Sequence, residues 1–308
     1  MAGLEFFKTA VALEKEFVNA DNCRLENAFQ TNGLLIDDEW AEFFAEQDFL
    51  VGISLDGDKD LHDSMRRDCG GNGTFERVMD AISILQKHNV KFNVLSVLTH
   101  KSCLAPKRLY DFFGSNNLVW QQYIPCLDPL NKAAGREEWS IKSGDYGRFL
   151  TVQFDLWYSA AISGMPTYNR YFDNILTVIC GGQPEACDMR GICGNQLVVE
   201  TNGRVYPCDF YCVDELCLGN FNTDTLGKIE KKREELEFVK YSAYRDTQCS
   251  RCKWFKLCRG GCRRHRTSGL DNAGAANRNR FCEDYKMFFE YAYPRLLHLA
   301  EFILKKQE

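Results

Sequence analysis

Apolar residues along the first 125 positions alternate between helical and strand spacing. In residues 3–18, Phe6, Ala10, Leu13 and Phe17 recur every three or four positions, which predicts an amphipathic helix. Apolar runs of strand length predict four strands, in LENAFQTNG, FLVGISLDG, VKFNVLSVL and LVWQQYIP. Helical spacing returns between them, in DDEWAEFFAEQ, TFERVMDAISILQKH and APKRLYDFF, with helix caps expected at Asp37 or Asp38 and at Asn72 or Thr74. Alternating strands and helices predict an α/β fold with a parallel sheet or barrel.

Polar side chains stand where the four predicted strands end. They are Gln30, Asn32, Ser54, Asp56, Thr99, His100, Gln121 and Gln122. In parallel α/β folds, ligands bind at the carboxyl ends of the strands, so a ligand site is expected among these residues. For Gln30, Asn32, Gln121 and Gln122, the alternative is that they only cap the strands.

The second half of the chain has a different pattern of residues. Helices are predicted over 143–163, 170–180 and 283–306, whereas cysteines, glycines and short strands dominate from 187 onward. QLVVETNGRVYPCD predicts a hairpin with a type I′ turn at Asn202-Gly203. We therefore predict three consecutive parts: a strand–helix domain over 1–165, a cysteine-rich domain over 166–285 and a C-terminal helix over 286–308.

Charge and hydropathy exclude two classes of partner. The net charge of −5 and the isoelectric point near 5.7 argue against a nucleic-acid surface. No apolar run approaches the roughly 18 residues of a membrane span, and the N-terminal stretch has no apolar signal core. We expect a cytoplasmic protein without membrane contact.

Fifteen cysteines are many for a cytoplasmic chain. A reducing compartment and an odd number both disfavour a disulfide framework, so thiolate ligands for a metal or cluster are the better explanation. The densest stretch, CSRCKWFKLCRGGC, has the spacing C-x2-C-x5-C-x3-C. A zinc ribbon would need two C-x2-C pairs, and only Cys249/Cys252 forms one, so iron–sulfur clusters are favoured and structural zinc stays the alternative.

The cysteine pattern resembles a known family. Cys193-x9-Gly203-x4-Cys208, the C-x2-C-x5-C-x3-C stretch and Cys282 resemble the seven-cysteine SPASM extension of radical S-adenosylmethionine enzymes. QTNG, GISLDG, HDSMRRDCGGNGTFERV, QYIPC and YPCD resemble the anaerobic sulfatase-maturating enzymes of that superfamily. These enzymes convert a Cys or Ser of a sulfatase into formylglycine. The resemblance, over about residues 2–285, implies a partial (β/α)6 TIM-like radical SAM barrel with a C-terminal SPASM iron–sulfur domain.

The resemblance also implies the site residues. Two auxiliary [4Fe–4S] clusters would be held by Cys187, Cys193, Cys208 and Cys262, and by Cys249, Cys252, Cys258 and Cys282. Ser54, Arg66 and the Leu127 backbone would contact S-adenosylmethionine, and Asp209 would be the general base for the substrate thiol or hydroxyl. For Ser54 and Asp209 the alternative is a cap or turn residue, and for Arg66 a solvated charge. Gln30, Asn32, Gln121 and Gln122 are the candidate contacts to the substrate peptide.

One family motif is absent from the 308 residues. Radical SAM enzymes hold their radical-generating [4Fe–4S] cluster with a C-x3-C-x2-C loop, and this sequence has none, nor the Gly-Gly-Glu-Pro segment. The third cluster therefore has no ligands in this chain. We expect a family member cut short at its N-terminus, with the first two barrel strands missing and four left, that does not cleave S-adenosylmethionine by itself.

The expected function is radical SAM oxidation of a sulfatase Cys or Ser to formylglycine. The expected partners are a sulfatase polypeptide and an electron donor such as ferredoxin or flavodoxin. The alternatives are another SPASM peptide maturase, or a non-catalytic iron–sulfur or zinc protein that binds peptides or carries electrons. Cys212 and Cys217 are interpreted as spare thiols, Cys23, Cys69, Cys103, Cys126 and Cys180 as incidental or buried, and RGGCRRHR as a solvated loop face.

Overall fold

The computed structural model describes residues 3–21, 25–266, 269 and 277–305. Its contacts divide the chain into two compact units, Met1–Ile124 with Ala160–Asn169, and Pro125–Ser159 with Arg170–Glu308. These units are interleaved in sequence, so they differ in kind from the three consecutive predicted domains, which stay a prediction. No helix within the described ranges is both long and apolar enough to cross a membrane.

The first unit contains a five-stranded sheet. Its strands are β1 (Ala28–Thr31), β2 (Leu50–Ser54), β3 (Lys91–Leu98), β4 (Trp120–Pro125) and β5 (Tyr168–Asn169), in the order β1-β2-β3-β4-β5. β1 pairs with β2, β2 with β3 and β4 with β5 in parallel register. The four predicted strands are confirmed. The expected count of four was wrong by one, because the two residues of β5 are too few for a recognisable pattern.

Helices precede and separate these strands. They are α1 (Leu4–Asp21), α2 (Asp38–Glu46), α3 (Lys59–Met65), α4 (Phe75–Lys87), α5 (His100–Cys103) and α6 (Pro106–Ser115). Asp37 caps α2 by accepting a hydrogen bond from the Trp40 N–H at 3.0 Å, as predicted. Thr74 lies at the N-cap position of α4, one of the two predicted positions, but its side chain makes no capping bond, and Asp63 accepts the Phe75 N–H at 2.9 Å instead.

Apolar burial explains the sheet. Val51 and Ile53 of β2, together with Leu55, are completely buried, and Val94 and Leu98 of β3 are nearly so. Such continuous burial is expected of parallel strands that are covered on both faces. Aromatic rings from β1, α2 and the start of β2 pack against one another; they are Phe29, Trp40, Phe43, Phe44 and Phe49.

The second unit combines long helices with short, irregular segments. Its helices are α7 (Asp145–Ile162, whose last residues belong to the first unit), α8 (Arg170–Ile179), α9 (Leu226–Leu236), α10 (Phe238–Ser242), α11 (Phe255–Cys258) and α12 (Cys282–Lys305). Phe154 of α7, Phe172 of α8 and Phe288 of α12 form one aromatic core, with ring centroids 5.4–5.8 Å apart. The predicted helices in these three regions are confirmed.

A three-stranded antiparallel sheet carries part of the cysteine-rich segment. Its strands are β6 (Val198–Val199), β7 (Arg204–Tyr206) and β8 (Gly219–Asn220). The predicted hairpin is confirmed but its turn type was wrong. A type I′ turn needs positive φ at both central residues, whereas only Gly203 has it, at 83°, and the Gly203 N–H donates to the Glu200 carbonyl at 2.8 Å. This is a turn over Glu200–Gly203 that ends in a left-handed glycine.

Candidate cofactor and metal sites

Arg66, a predicted contact to S-adenosylmethionine, is held by a carboxylate in the first unit. Arg66 Nε and Nη2 donate to the two Asp56 carboxylate oxygens at 2.6 and 3.1 Å. The side chain of Asp56 is 8% exposed and that of Arg66 26%. Ser54, at the end of β2, is 9% exposed and lies two residues before Asp56. Sequence reasoning placed Asp56 at the strand end but missed its pairing with Arg66.

His62 extends this pair into a buried network. The Asp56 N–H donates to His62 Nδ1 at 3.3 Å, which makes Nδ1 the acceptor and leaves the proton on Nε2, 3.0 Å from Thr74 Oγ1. Thr74 Oγ1 in turn donates to the Arg66 carbonyl at 3.2 Å. Burial lowers the pKa of His62, so the neutral ring fits its role as acceptor. The network fixes the segment between Asp56 and Thr74, which the sequence alone did not show.

The four predicted peptide contacts fall into different environments of the first unit. Gln30 of β1 is exposed and lies in register with Gly52 of β2. Asn32 is exposed, and its side-chain oxygen accepts the Leu34 N–H at 3.2 Å in the turn after β1. Successive strand residues point to opposite faces, so Gln121 and Gln122 of β4 cannot share one.

Gln121 fits the structural alternative. It is buried, and its amide group donates to the Leu118 carbonyl at 2.9 Å while its oxygen accepts the Tyr123 hydroxyl at 2.8 Å. Gln122 is half-buried on the other face. Gln30, Asn32 and Gln122 therefore stay the better candidates for binding a peptide.

Leu127 belongs to the second unit, where its neighbour Asp128 is 2% exposed and fixes the backbone. The Asp128 carboxylate accepts hydrogen bonds from the Ser140 hydroxyl, from the Gly135 N–H at 3.1 Å and from Arg280 Nη1 at 2.5 Å. Arg264 Nη2 donates to the Asp128 carbonyl at 2.5 Å. Burial by itself would raise the pKa of Asp128, but these hydrogen bonds outweigh it and lower the pKa. The segment that follows β4 is thus anchored by side chains from 264 and 280.

Four cysteines, here called the second cysteine set, line one cavity of about 290 Å³. They are Cys249, Cys252, Cys258 and Cys282. Cys258 ends α11, and Cys282 opens α12, where the helix dipole favours a thiolate. Burial raises the pKa of Cys258 to about 12, with further contributions from the other three thiols, so all four lie within electrostatic range. That these four residues share one site stays a prediction, and the common cavity supports it.

The size of this cavity bears on the choice between a cluster and zinc. One water occupies about 30 Å³ in the liquid, so the cavity has room for a group of several atoms. A zinc ion instead draws its thiolates in to about 2.3 Å and fills the space between them. The choice between a cluster and zinc at the second cysteine set stays a prediction, and the size of the cavity favours the cluster.

The other four predicted ligands, here called the first cysteine set, are drawn from distant segments of the second unit. They are Cys187, Cys193, Cys208 and Cys262. Burial raises the pKa of Cys262 to about 12, and Cys193 and Cys187 raise it further. Burial also raises the pKa of Cys208, with a contribution from Cys262. Cys187 and Cys193 thus affect the pKa of Cys262, and Cys262 affects the pKa of Cys208, so the other three thiols lie within electrostatic range of Cys262.

A double glycine explains how Cys258 and Cys262 can serve different sites. Gly260 and Gly261, between them, have φ values of 84° and 66°, a left-handed conformation that side chains disfavour. The Gly261 N–H donates to the Cys258 carbonyl at 2.9 Å, which closes the reversal. The chain therefore turns sharply between the two thiols, as the predicted interleaving of the two sets requires.

Asp209, the predicted general base, is exposed and directly follows Cys208. It begins a short 3-10 turn over Asp209–Tyr211, and its carboxylate accepts a hydrogen bond from Cys208 Sγ at 3.3 Å. A solvent-facing carboxylate at this place can receive a proton from a bound substrate. Its role stays a prediction.

The remaining cysteines occupy varied surroundings. Cys103 is buried, Cys69 is exposed, and Cys126 and Cys180 lie between; Cys23 lies outside the described residues. Cys212 Sγ donates to the Cys208 carbonyl at 3.7 Å, and Cys217 Sγ to the Gly219 carbonyl at 3.4 Å. Both spare thiols are therefore engaged with the backbone close to the first cysteine set.

The interpretation of RRHR as a solvated face was wrong. Arg263, Arg264, His265 and Arg266 are 1%, 7%, 6% and 5% exposed. Arg263 lies over the ring of Phe238 at 4.6 Å, and burial lowers the pKa of His265 to about 3. A run of charges predicts exposure when each charge needs water, but here aromatic rings and main-chain carbonyls take the place of water.

Comparison with known proteins identifies the family and the fold of the chain. Residues 4–102 match the radical SAM superfamily, and residues 187–253 match an iron–sulfur cluster-binding domain, SPASM. A cysteine-type anaerobic sulfatase-maturating enzyme of Clostridium perfringens is 42% identical over 97% of this chain and 80% of its own length. A serine-type enzyme of Bacteroides thetaiotaomicron is 31% identical over 100% of this chain and 77% of its own. The solved structure of native anSMEcpe with bound AdoMet and Cp18Cys peptide has a TM-score of 0.93 and 42% identity, covering 98% of this chain and 83% of that one.

Proposed function

The chain belongs to the anaerobic sulfatase-maturating enzymes, radical SAM proteins with an SPASM domain, and on this premise we propose that its sites serve the oxidation of a cysteine of a sulfatase polypeptide to formylglycine. Relatives named as cysteine-type are 36–43% identical to it, whereas those named as serine-type are 30–31% identical. This difference favours cysteine over serine as the target. Iron–sulfur clusters and S-adenosylmethionine are the cofactors that the two domains imply.

The first and second cysteine sets are proposed to hold one [4Fe–4S] cluster each, because each set offers the four thiolates that such a cluster takes. When bound, these two clusters would supply a path for electrons, whereas the hydrogen-abstracting radical would come from S-adenosylmethionine at a third cluster, whose C-x3-C-x2-C loop the 308 residues do not contain. The chain's own contribution at these sites is to exclude water and to fix the thiols. Partial burial of Cys258 and Cys262 and the raised pKa of each thiol support that role, whereas Cys187 is exposed.

Arg66 and Ser54, both in the first unit, are proposed to bind S-adenosylmethionine, and the contact to the Leu127 backbone stays a prediction from the family resemblance. Asp56 uses two N–H groups of Arg66 and fixes the plane of its guanidinium. A guanidinium has five N–H donors, so others stay able to meet the methionyl carboxylate. The Asp128 contacts hold the Leu127 backbone in one conformation, which lowers the entropy cost of binding an adenine against it.

Asp209 is proposed to take the proton from the substrate thiol as hydrogen leaves its Cβ. Its exposure and its place beside Cys208 support this, because a base there meets both solvent and a substrate next to the first cysteine set. Gln30, Asn32 and Gln122 are proposed to bind the peptide backbone. Hydrogen bonds to the backbone position the target cysteine without selecting its neighbours.

An electron carrier such as ferredoxin or flavodoxin is proposed as the second partner. Arg251, Lys253, Arg278 and Lys286 line the second cysteine cavity together with Glu290. Lys253 pairs with Glu290, and Arg278 and Lys286 both pair with Glu283, so the rim keeps a smaller excess of positive charge. Such an excess attracts a small acidic redox protein and raises its rate of association.

The observation that carries the proposal is the pairing of two distinct four-cysteine sets with a family match over nearly the whole chain. It is tested by anaerobic incubation with S-adenosylmethionine, dithionite and a sulfatase peptide that contains the target cysteine. Two forms are compared: the 308-residue chain, and the same chain extended by a C-x3-C-x2-C segment of the family. We expect the extended form to produce both 5′-deoxyadenosine and peptide aldehyde, and the 308-residue chain to produce neither.

Two controls separate the possible failures. A peptide with alanine at the target position should give no aldehyde, and Asp209→Asn in the extended form should lower aldehyde formation by about 10²-fold or more. If the extended form cleaves S-adenosylmethionine but leaves the cysteine peptide unmodified, the substrate assignment is wrong and another SPASM peptide maturase is favoured. Turnover by the 308-residue chain would overturn the expectation that it is inactive alone.

A further inference from the structure

Arg266 is a buried cation that the proposed mechanism does not use. It is 5% exposed, four residues after Cys262. Its Nη2 donates to the Ser242 carbonyl at 2.6 Å, and its Nη1 donates to the Tyr244 carbonyl. Burying a guanidinium is costly unless its surroundings repay the lost hydration, so a position like this calls for an explanation.

The contacts of Arg266 lead to the first cysteine set from two directions. Along the chain, the turn Arg263–His265 joins it to Cys262, whose Sγ accepts the Arg264 N–H at 3.3 Å. Through space, the Ser242 hydroxyl accepts the Cys193 N–H at 2.8 Å, and Ser242 is completely buried. Arg266 thus connects the backbone segments that carry Cys262 and Cys193, two of the four predicted ligands.

Electrostatics point the same way. Burial lowers the pKa of Arg266, and the neighbouring Arg245 lowers it further, whereas Cys262 and Cys193 act in the opposite direction and favour its charge. Four thiolates around a cluster carry more negative charge than four thiols. Their attraction to a buried guanidinium is strong, because little water screens it.

We propose that Arg266 is a positioning and charge-balancing residue of the first cysteine set, which raises the reduction potential of the cluster held there. The reduced cluster carries one more negative charge than the oxidised one, so a fixed cation beside it stabilises the reduced form more. A higher potential would suit this site to accept the electron that leaves the substrate. The inference rests on the proposed function, since it needs a cluster at the first set.

The test is a redox titration of the reconstituted protein, followed by electron paramagnetic resonance. Cys187→Ala identifies the signal of the first-set cluster by its loss. Arg266→Gln should lower the ratio of reduced to oxidised first-set cluster about tenfold at a fixed potential, a shift of about 59 mV for one electron. Arg266→Lys keeps the charge and should stay within about threefold of the unchanged protein. Lys286→Gln, which removes a cation beside the second cysteine set, should leave the first-set signal unchanged.

Each outcome decides the matter. A ratio that changes less than about threefold in Arg266→Gln, or by the same factor in Arg266→Lys, overturns charge balancing. If Arg266→Gln fails to load iron at the first set while Arg266→Lys succeeds, the charge is needed and the proposal stands; if neither loads, it is overturned. Iron content of the unchanged protein separates this inference from the function: without iron at the first set, the cluster assignment itself has failed.

Discussion

The parallel sheet of the first unit and the cysteine-bearing segments of the second are held together by different physics. In β2 and β3 the buried side chains are mostly aliphatic, with Ser54 and Ser96 as the exceptions, and the two strands pair along β2. In residues 187–266 the strands are two or three residues long, the thiols are partly buried or, at Cys187, exposed, and the buried side chains include three arginines. The sheet can be stable through apolar burial alone, whereas the cysteine-bearing segments depend on what their thiols hold.

The largest expected effect is on the metal-dependent region. Cys258→Ala should remove one cluster, so iron should fall from about eight to about four per chain, and thermal unfolding should begin at a lower temperature. Cys212→Ala is the matched control, because Cys212 lies close to the first cysteine set but outside both sets. Equal iron in the two variants would show that the contrast between set members and spare thiols is false.

In the sheet region we expect the largest loss of unfolding free energy when the Asp56–Arg66 ion pair is broken. Arg66→Ala leaves a buried carboxylate without its cation, which typically costs 3–5 kcal/mol; because Arg66 is partly exposed, we expect about 2–3 kcal/mol of unfolding free energy. Urea denaturation measures this. The exposed neighbour Arg67, changed to Ala, should alter the free energy by about 0.5 kcal/mol or less. Similar losses in both variants would argue against the buried pair.

Packing of the sheet gives a smaller effect. A Cβ on Gly52 would lie 2.4 Å from Leu95 Cδ1 on the neighbouring strand, so Gly52→Ala forces a shift and should cost about 1–3 kcal/mol. Gly114→Ala in α6 meets nothing within 4 Å and should stabilise the helix by up to about 1 kcal/mol. A neutral Gly52→Ala would mean that the strands are less tightly packed than described.

The smallest effect concerns pH. Burial holds the pKa of His62 below its ordinary value near 6.5. As the pH falls to this value, His62 therefore becomes protonated in the unfolded chain while it stays neutral in the folded network. The stability from neutral His62 is therefore complete above pH 6.5 and declines as pH falls below it. His62→Gln should make the loss of unfolding free energy between pH 7 and 5.5 less steep. Some slope should remain, because His265 in the second unit is also buried and neutral. An unchanged slope would contradict the network.

The parallel sheet and the cysteine-bearing segments also differ in how much of their structure could be predicted from the sequence. The four strands and the long helices have apolar periods that the fold obeys, so they were confirmed. β5 has only two residues and no period to detect. The turn at Gly203 and the buried run from Arg263 to Arg266 depend on tertiary contacts, which override local turn and charge preferences.

At the candidate sites, residue types were easier to predict than pairings. The division of the thiols into two sets stays a prediction from the family resemblance, and the effects of neighbouring thiols on the pKa of Cys258 and of Cys262 support it. The pairing of Arg66 with Asp56, ten residues away, follows from α3 bringing both to one strand end, which no sequence spacing signals. Gln121 and Gln122 were grouped as neighbours, although strand geometry separates their side chains.

The measurement that tests the central claim most directly is the content of iron, sulfide and zinc per chain after anaerobic reconstitution. Two thiolate-bound cubanes in the cysteine-bearing segments predict about eight iron with about eight sulfide and little zinc. About one or two zinc with little iron would contradict the cluster assignment, and with it the dependence of the second region on its thiols.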